Sequence, residues 1–243
     1  MEIIDAYWEK RNLNVLSKTI KIGKDDNIAE IKRVLTEINS EYITLSIPTG
    51  YVEAFMVAQD LGYKYIENNI TVVKKIIKEI DKNSKLSKIM NAIEYHSANK
   101  NEIEYILDDI LNGNIFCTDK IAKDPYFGIK KSGKRYWNWA KDIINNRGEV
   151  YLISIDNENV GFVINKNDNS NYTALAGLLS KHKDSRFGLF VISSLEKIAF
   201  DNNKKYVITN ISSNNLNVLK LYTFLEYEIK EINSIFIKHN VLI

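Results

Sequence analysis

Cysteine occurs once in 243 residues, at Cys117, which excludes an internal disulfide framework and a zinc site of several thiolates. Histidine is nearly as scarce: His96, His182 and His239 are scattered, and no pair has the spacing of metal ligands on a helix or loop. No run of about 18 apolar residues exists, so no membrane span is expected. The opening MEIIDAYWEK is acidic and aromatic, unlike a secretory signal. An excess of charge is also lacking: 33 Lys and Arg stand against 31 Asp and Glu, spread along the chain, and nothing points to nucleic acid. These absences lead to the expectation of a metal-free cytoplasmic protein with neither membrane nor nucleic acid as partner. What is present is ordinary globular material, 45% apolar and 26% charged, long enough for one large domain or two small ones.

Residues 13–22 alternate as a strand does, and Gly23-Lys24-Asp25-Asp26 breaks the run. Asp26 or Asn27 can cap a helix carrying Ile28, Ile31, Leu35 and Ile38. The β-branched run Tyr42–Pro48 is a strand stopped by Pro48 and Gly50. A helix with Val52, Phe55 and Met56 follows and ends at Gly62, a residue suited to the left-handed position past a helix end. Tyr63–Ile66 and Asn69–Ile76 read as two strands around an Asn68-Asn69 turn.

Residues 205–238 repeat this order of strand, helix, strand, turn, strand. Sliding the chain by 164 residues places Tyr42 on Tyr206, Ile47 on Ile211, Leu61 on Leu225 and Tyr63 on Tyr227, without a gap. Glu67, Asn69 and Lys74 likewise fall on Glu231, Asn233 and Lys238. With matching apolar positions (Val52 on Leu216, Phe55 on Leu219), this points to an internal repeat. The copies differ where chemistry is possible. Tyr222 falls on Ala58 and Asn215 on Tyr51, so any reactive site is expected in the second copy.

Between the copies, the polar stretch 81–88 suits a linker or a hairpin edge. Ile89–Tyr95 reads as a strand, and 101–111 as a helix with Ile103, Ile106, Leu107 and Ile110 on one stripe, Asn101 as cap and Gly113 as stop. Residues 115–131, with Pro125 and Gly128, read as a long functional loop. The helix 134–146 turns Tyr136, Trp139 and Ile143 inward. A hairpin of 150–156 and 160–165 precedes a polar turn at 166–170. A strand at 172–179, a helix with Leu189, Ile192, Leu195 and Ile198, and the strand at 205–211 form a βαβ unit, which demands a parallel pair.

This order of elements, together with the Asn215-x6-Tyr222 helix closed by Leu225-Glu226-Tyr227, resembles the GNAT superfamily of acetyl-CoA-dependent N-acetyltransferases. The resemblance implies an α/β fold, with a central mixed and mostly antiparallel sheet and one parallel strand pair splayed around the coenzyme. It further implies a smaller N-terminal half-GNAT unit without a coenzyme site over 1–84 and the acetyltransferase domain over 85–243. In that superfamily a loop of the form (Arg/Gln)-x-x-Gly-x-(Gly/Ala) holds the coenzyme pyrophosphate, as the free N–H groups of a helix start favour an anion. The six residues here are Ser185-Arg186-Phe187-Gly188-Leu189-Phe190. Gly188 matches, Ser185 and Phe190 depart, and Lys181, Lys183 and Arg186 keep the loop positive. The resemblance thus implies Arg186, Phe187, Gly188, Leu189, Phe190 and Asn215 as coenzyme contacts. A backbone N–H at Leu178 or Leu179 would face the oxyanion, and Tyr222 would give the leaving thiolate a proton.

The run T-D-K-x-x-x-D-P-x-F/Y at 118–127 resembles a subgroup of these enzymes that acetylates a dTDP-linked 4-amino-4,6-dideoxy sugar. It implies Asp119, Lys120, Tyr136 and Trp139 as substrate contacts, with Lys120 where the subgroup usually has Arg. The expected activity is therefore transfer of acetyl from acetyl-CoA to a primary amine, a nucleotide-linked amino sugar, by direct attack. Three alternatives stay open: another amine acceptor, the aminoacyl transfer of tandem GNAT-like enzymes, and a coenzyme-binding module without turnover. No general base stands out; His182, Asp184 and Glu149 are near the expected cleft and nothing more. The acceptor's identity and the oligomeric state, a homodimer included, stay open.

Overall fold

A computed structural model describes residues 1–76, 85–166 and 171–240. The first part runs β1 (Glu2–Asp5), α1 (Trp8–Leu13), β2 (Ser17–Lys21), α2 (Ile28–Glu37), β3 (Tyr42–Pro48), α3 (Val52–Asp60) and β4 (Lys64–Lys75). The middle holds α4 (Lys85–Ala92), β5 (Glu94–Ser97), α5 (Lys100–Asn112), α6 (Lys120–Lys123), α7 (Gly128–Asn145), β6 (Glu149–Ile155) and β7 (Glu158–Asn165). The last part is β8 (Asn171–Leu178), a 3₁₀ turn at Ser180–His182, α8 (Gly188–Asp201), β9 (Tyr206–Ser212), α9 (Leu216–Phe224) and β10 (Glu228–His239). The caps follow the local chemistry. The Asn27 side chain accepts from the N–H groups of Ala29 and Glu30 to start α2. Asn99, two residues before the expected Asn101, starts α5 through a reciprocal capping box with Glu102.

The internal repeat is visible in the element boundaries. Adding 164 to the spans of β3, α3 and β4 gives those of β9, α9 and β10 at every end. Each copy finishes in one twelve-residue strand, so the two short strands around Asn68-Asn69 are a single one. Asn68 stays in the strand because partners satisfy it: Ser234 Oγ donates to Asn68 Oδ1 at 2.8 Å, and Asn68 N–H donates to Ser213 Oγ at 2.8 Å. Two further expectations are corrected. Residues 89–92 close a helix rather than opening a strand, because Ile93 and Met90 bury one stripe against α8. The long loop over 115–131 contains α6 and the first turn of α7. The rest of the proposed linker, 81–84, and of the polar turn, 167–170, lies outside the described residues.

The strands form one mixed sheet in the order β1-β2-β3-β10-β4-β9-β8-β7-β6-β5. The last strands of the two copies are exchanged. β10 pairs with β3 and β4, whereas β4 pairs with β9 and β10, and all these pairs are antiparallel. Two pairs are parallel, β2 with β3 and β8 with β9. Strand alternation sends neighbouring side chains to separate cores. On β6, Tyr151 and Ile153 join the core under α8 and α9, and Val150 and Leu152 join the one under α5 and α7. A third core packs α2 and α3 on β2 and β3. Each fully buried Ile or Leu in these cores contributes about 1.5–3 kcal/mol of transfer free energy.

What opens the sheet is a single inserted residue. Ile164 of β7 faces Leu175 of β8, but Asn165 faces Thr173, which leaves Ala174 as a bulge. A bulge bends its strand and increases the local twist. β8 accordingly pairs with β9 only at Asn171↔Val207 and Tyr172↔Ile208 and then diverges from it. In the first copy β2 and β3 stay paired over Ser17–Lys21 and Tyr42–Ser46, with no shift in register.

Candidate active site

A cavity of about 900 Å³ fills the space between the diverging strands. Ala174 and Ala176 of β8 form one wall, Thr209–Ser212 of β9 the other, and Asn215, Val218 and Tyr222 of α9 close one side. Small side chains at 174 and 176 leave the width that the bulge creates. On a strand whose neighbour has moved away, backbone groups facing the gap are unpaired. Leu179 donates its N–H to Val160 C=O at 3.0 Å. Ladder alternation turns the N–H of Leu178 away from β7; of the two expected oxyanion donors Leu179 has its donor taken, and neither residue lines the cavity.

Tyr222 is 3% exposed and stacks edge-on against Tyr227 at 4.8 Å. Its hydroxyl bonds with that of Thr209, which donates at 3.0 Å to Thr173 C=O just beyond the last β8–β9 pair. Burial raises the phenol's pKa, and Thr209 offsets this only in part, so the group carries its proton at neutral pH. Asn215 is the N-cap of α9, its side chain accepting from Val218 N–H at 3.3 Å. Both residues face one cavity because they lie two turns apart on the same helix.

The far end of the cavity is polar and enclosed. Asp119 caps α6 by accepting from Ala122 N–H at 2.9 Å, accepts from Ser132 Oγ at 2.8 Å, and lies 3.9 Å from Arg135 Nη1. Arg135 in turn donates to Glu9 of α1 at 2.8 Å. Burial and the nearby Arg135 pull the pKa of Lys120 down, against the pull of Glu9, Glu67 and Asp119. Tyr136 stacks on Phe116 with ring centroids 4.3 Å apart, and burial together with Asp119 pushes its pKa well up. Toward the mouth stand Trp8, Trp139, and an Arg11–Asp142 pair at 2.6 Å with both side chains about half exposed.

Of the residues singled out from the sequence, Tyr222, Asn215, Asp119, Lys120, Tyr136 and Trp139 meet on this one cavity. The loop residues do not line it. Arg186 is exposed, and Phe187, Leu189 and Phe190 pack on the core beneath α8. Gly188 packs close to α9: a Cβ there would lie 3.3 Å from Leu221 Cδ1, a tight contact. Phe187, the N-cap of α8, makes no side-chain capping bond, and its own N–H donates to Ser185 Oγ at 3.2 Å. His182, Asp184 and Glu149 lie off the cavity. Asp124 is also elsewhere, bonded at 2.8 Å to His239 Nε2.

Sequence reasoning missed Glu67. It sits on β4, in the first copy, and strand exchange carries it beside β9, where it is 5% exposed and lines the cavity. Its only sequence signal was identity with Glu231 in the repeat. Among the described residues no group of three or more His, Cys, Asp and Glu could hold a metal ion, and no helix is long and apolar enough to cross a membrane.

No protein-family model and no curated protein matches this sequence. Solved structures do match in shape. A GCN5-related N-acetyltransferase from Sphaerobacter thermophilus is similar at a TM-score of 0.55 and 9% identity, over 82% of this chain and 59% of that one. A conserved Staphylococcus epidermidis protein of unknown function reaches 0.58 and 14%, over 93% and 85% of the two chains. A GCN5-related N-acetyltransferase from Kribbella flavida gives 0.51 and 13%, over 91% and 80%. The chain thus has the GNAT fold, a mixed sheet opened at one parallel pair.

Proposed function

We propose that the chain transfers acetyl from acetyl-CoA to a primary amine. The observation that carries this is the bulge at Ala174, which parts β8 from β9 and leaves one cavity bounded by Tyr222 and Asn215. Structural neighbours named as N-acetyltransferases support acetyl transfer in general.

The thioester lies along β8, with its phosphates at the start of α8 and its carbonyl oxygen toward Leu178 N–H. Holding amine and thioester in one cleft supplies much of the acceleration through orientation. As the C–S bond breaks, Tyr222 gives its proton to sulfur, and burial suits the phenol to that role by keeping it protonated. Residues 85–243 supply the coenzyme's strand and helix together with Tyr222 and Asn215. Residues 1–84 form a related half without a coenzyme site, since β2 and β3 remain paired and Ala58 stands where Tyr222 would be.

For the acceptor we favour a nucleotide-linked amino sugar. Its amine would reach in past Asp119, Lys120 and Tyr136, while its sugar and base lie against Trp139 and Trp8 at the mouth. The test is release of coenzyme thiol on mixing the protein, acetyl-CoA and a panel of nucleotide-linked and free amino sugars. Release that depends on one amine class supports the reading. Coenzyme binding without release with any amine would favour a binding module instead.

A further inference from the structure

The geometry points to Glu67 as the group that receives the acceptor's ammonium and takes its proton. This assignment rests on the acetyl-transfer reading above and supplies the base that reading lacks. Glu67 lies on β4 opposite Ile235 of β10, an apolar neighbour that gives it no counter-charge. From β9 the Ser212 hydroxyl donates to its Oε2, and from the start of α6 the backbone N–H of Lys120 donates as well. Ser212 is also within 3.0 Å of Thr118 C=O, so one hydroxyl links the strand to the loop before α6. The carboxylate is thereby fixed from two elements on the wall of the cavity that Tyr222 also borders.

The charges facing it leave a place for a cation. The basic side chains are Lys120 of α6 and Arg135 of α7, and the other carboxylates are Asp119 before α6 and Glu9 of α1. Tyr136 of α7 and Tyr222 of α9 stay neutral, as burial raises both phenols. With Glu67 ionised, carboxylates outnumber basic side chains in this enclosed group by three to two, and burial lowers the pKa of Lys120, so an entering ammonium meets a net attraction. Burial raises the Glu67 pKa, and its hydrogen bonds offset only part of that rise. A carboxylate held in this way is a better proton acceptor than one in water.

The sequence of proton and bond changes balances. The ammonium gives one proton to Glu67 and becomes a neutral amine. Its lone pair forms the C–N bond at the thioester carbonyl, and the carbonyl electrons move to oxygen. The C–S bond then breaks, sulfur takes the Tyr222 proton, and the nitrogen's second proton restores the phenol. Glu67 releases its proton to solvent when the amide leaves. Overall an ammonium and a thioester give an amide, a thiol and one proton.

The consequence is an active site shared between the two copies of the repeat: the thiolate's acid comes from the second copy and the ammonium's base from the first. The test compares wild type, Glu67→Gln and Glu67→Asp by thiol release from acetyl-CoA across pH, with amino sugars as acceptors, alongside calorimetric titration with acetyl-CoA. Expected is a fall in kcat/KM for Glu67→Gln of about 10²–10⁴-fold at pH 7. The deficit shrinks as pH rises toward the amine's own pKa, Glu67→Asp recovers part of the rate, and coenzyme affinity stays unchanged in both variants. A Glu67→Gln rate within threefold of wild type, or a deficit that is constant across pH, overturns the base assignment and leaves the acetyl-transfer reading standing. A wild type that neither binds acetyl-CoA nor releases thiol overturns that reading, and this one with it.

Discussion

Asn69 and Asn233 face each other across the β4–β10 pair, and each is the other's counterpart in the repeat, 164 residues away. The register on either side is symmetric about them: Ile70 faces Ile232, and Asn68 faces Ser234. Outward from the same point, Asn69 pairs with Ser212 and Asn233 with Pro48, again equivalent positions. An approximate two-fold axis therefore passes between the two asparagines. The halves behave as two copies of one unit that have traded their last strands.

Strand exchange makes each half depend on the other. In the sheet β10 has only β3 and β4 as neighbours, both from the first half. A fragment of residues 85–243 should therefore be poorly soluble and lack a cooperative melt, because β10 has no partner and the outer edge of β9 is bare. Co-expression with residues 1–84 should restore a folded complex, which size-exclusion chromatography and circular dichroism would reveal. A stably folded monomer of the fragment alone would argue against the exchange.

Tyr222→Phe isolates the proton donor. The ring stays in its core position, and the lost hydroxyl contact to Thr209 costs about 0.5–1.5 kcal/mol of stability. Turnover should fall by about 10²-fold or more while coenzyme affinity stays within a factor of two. Unchanged turnover would remove Tyr222 from the chemistry.

Lys74 of β4 also joins the halves, donating to Glu196 Oε1 on α8 at 3.1 Å and to Leu225 C=O at the end of α9 at 2.6 Å. Lys74→Met leaves a buried carboxylate unpaired and should cost about 3–5 kcal/mol in urea unfolding. Adding Glu196→Gln should return most of that loss, since the uncompensated charge is gone. A single variant as stable as wild type would show the pair to be dispensable.

Glu67 also shapes stability against pH. Its folded pKa lies above the unfolded one, so the native state binds its proton more tightly. Its contribution is then fully present below the ordinary carboxylate range and is lost as pH rises toward the raised value. Glu67→Gln should melt higher than wild type near pH 8 and close to it near pH 4. A gain that is the same at both pH values would mean that the carboxylate is not held at a raised pKa.

Much of this was legible in the chain because the repeat preserves spacing. A shift of 164 found in seven identities coincides with every boundary of three elements in each copy. Asn215 and Tyr222 could be placed on one face because helical periodicity is local. Glu67 could not be placed, because only the pairing of β4 with β9 in the other half brings it to the cavity. Asn68 of β4 read as part of a turn, since its partners Ser213 and Ser234 lie far away in sequence. The bulge was equally hidden: nothing at Ala174 marks it, and it exists only as a mismatch in register with β7.

The most direct test of acetyl transfer at the cleft between β8 and β9 is calorimetric titration of the full chain with acetyl-CoA, followed by addition of amino sugars with thiol release monitored. The account predicts one coenzyme bound per chain, and release of thiol that requires both the amine and Tyr222. No binding at millimolar acetyl-CoA would contradict it.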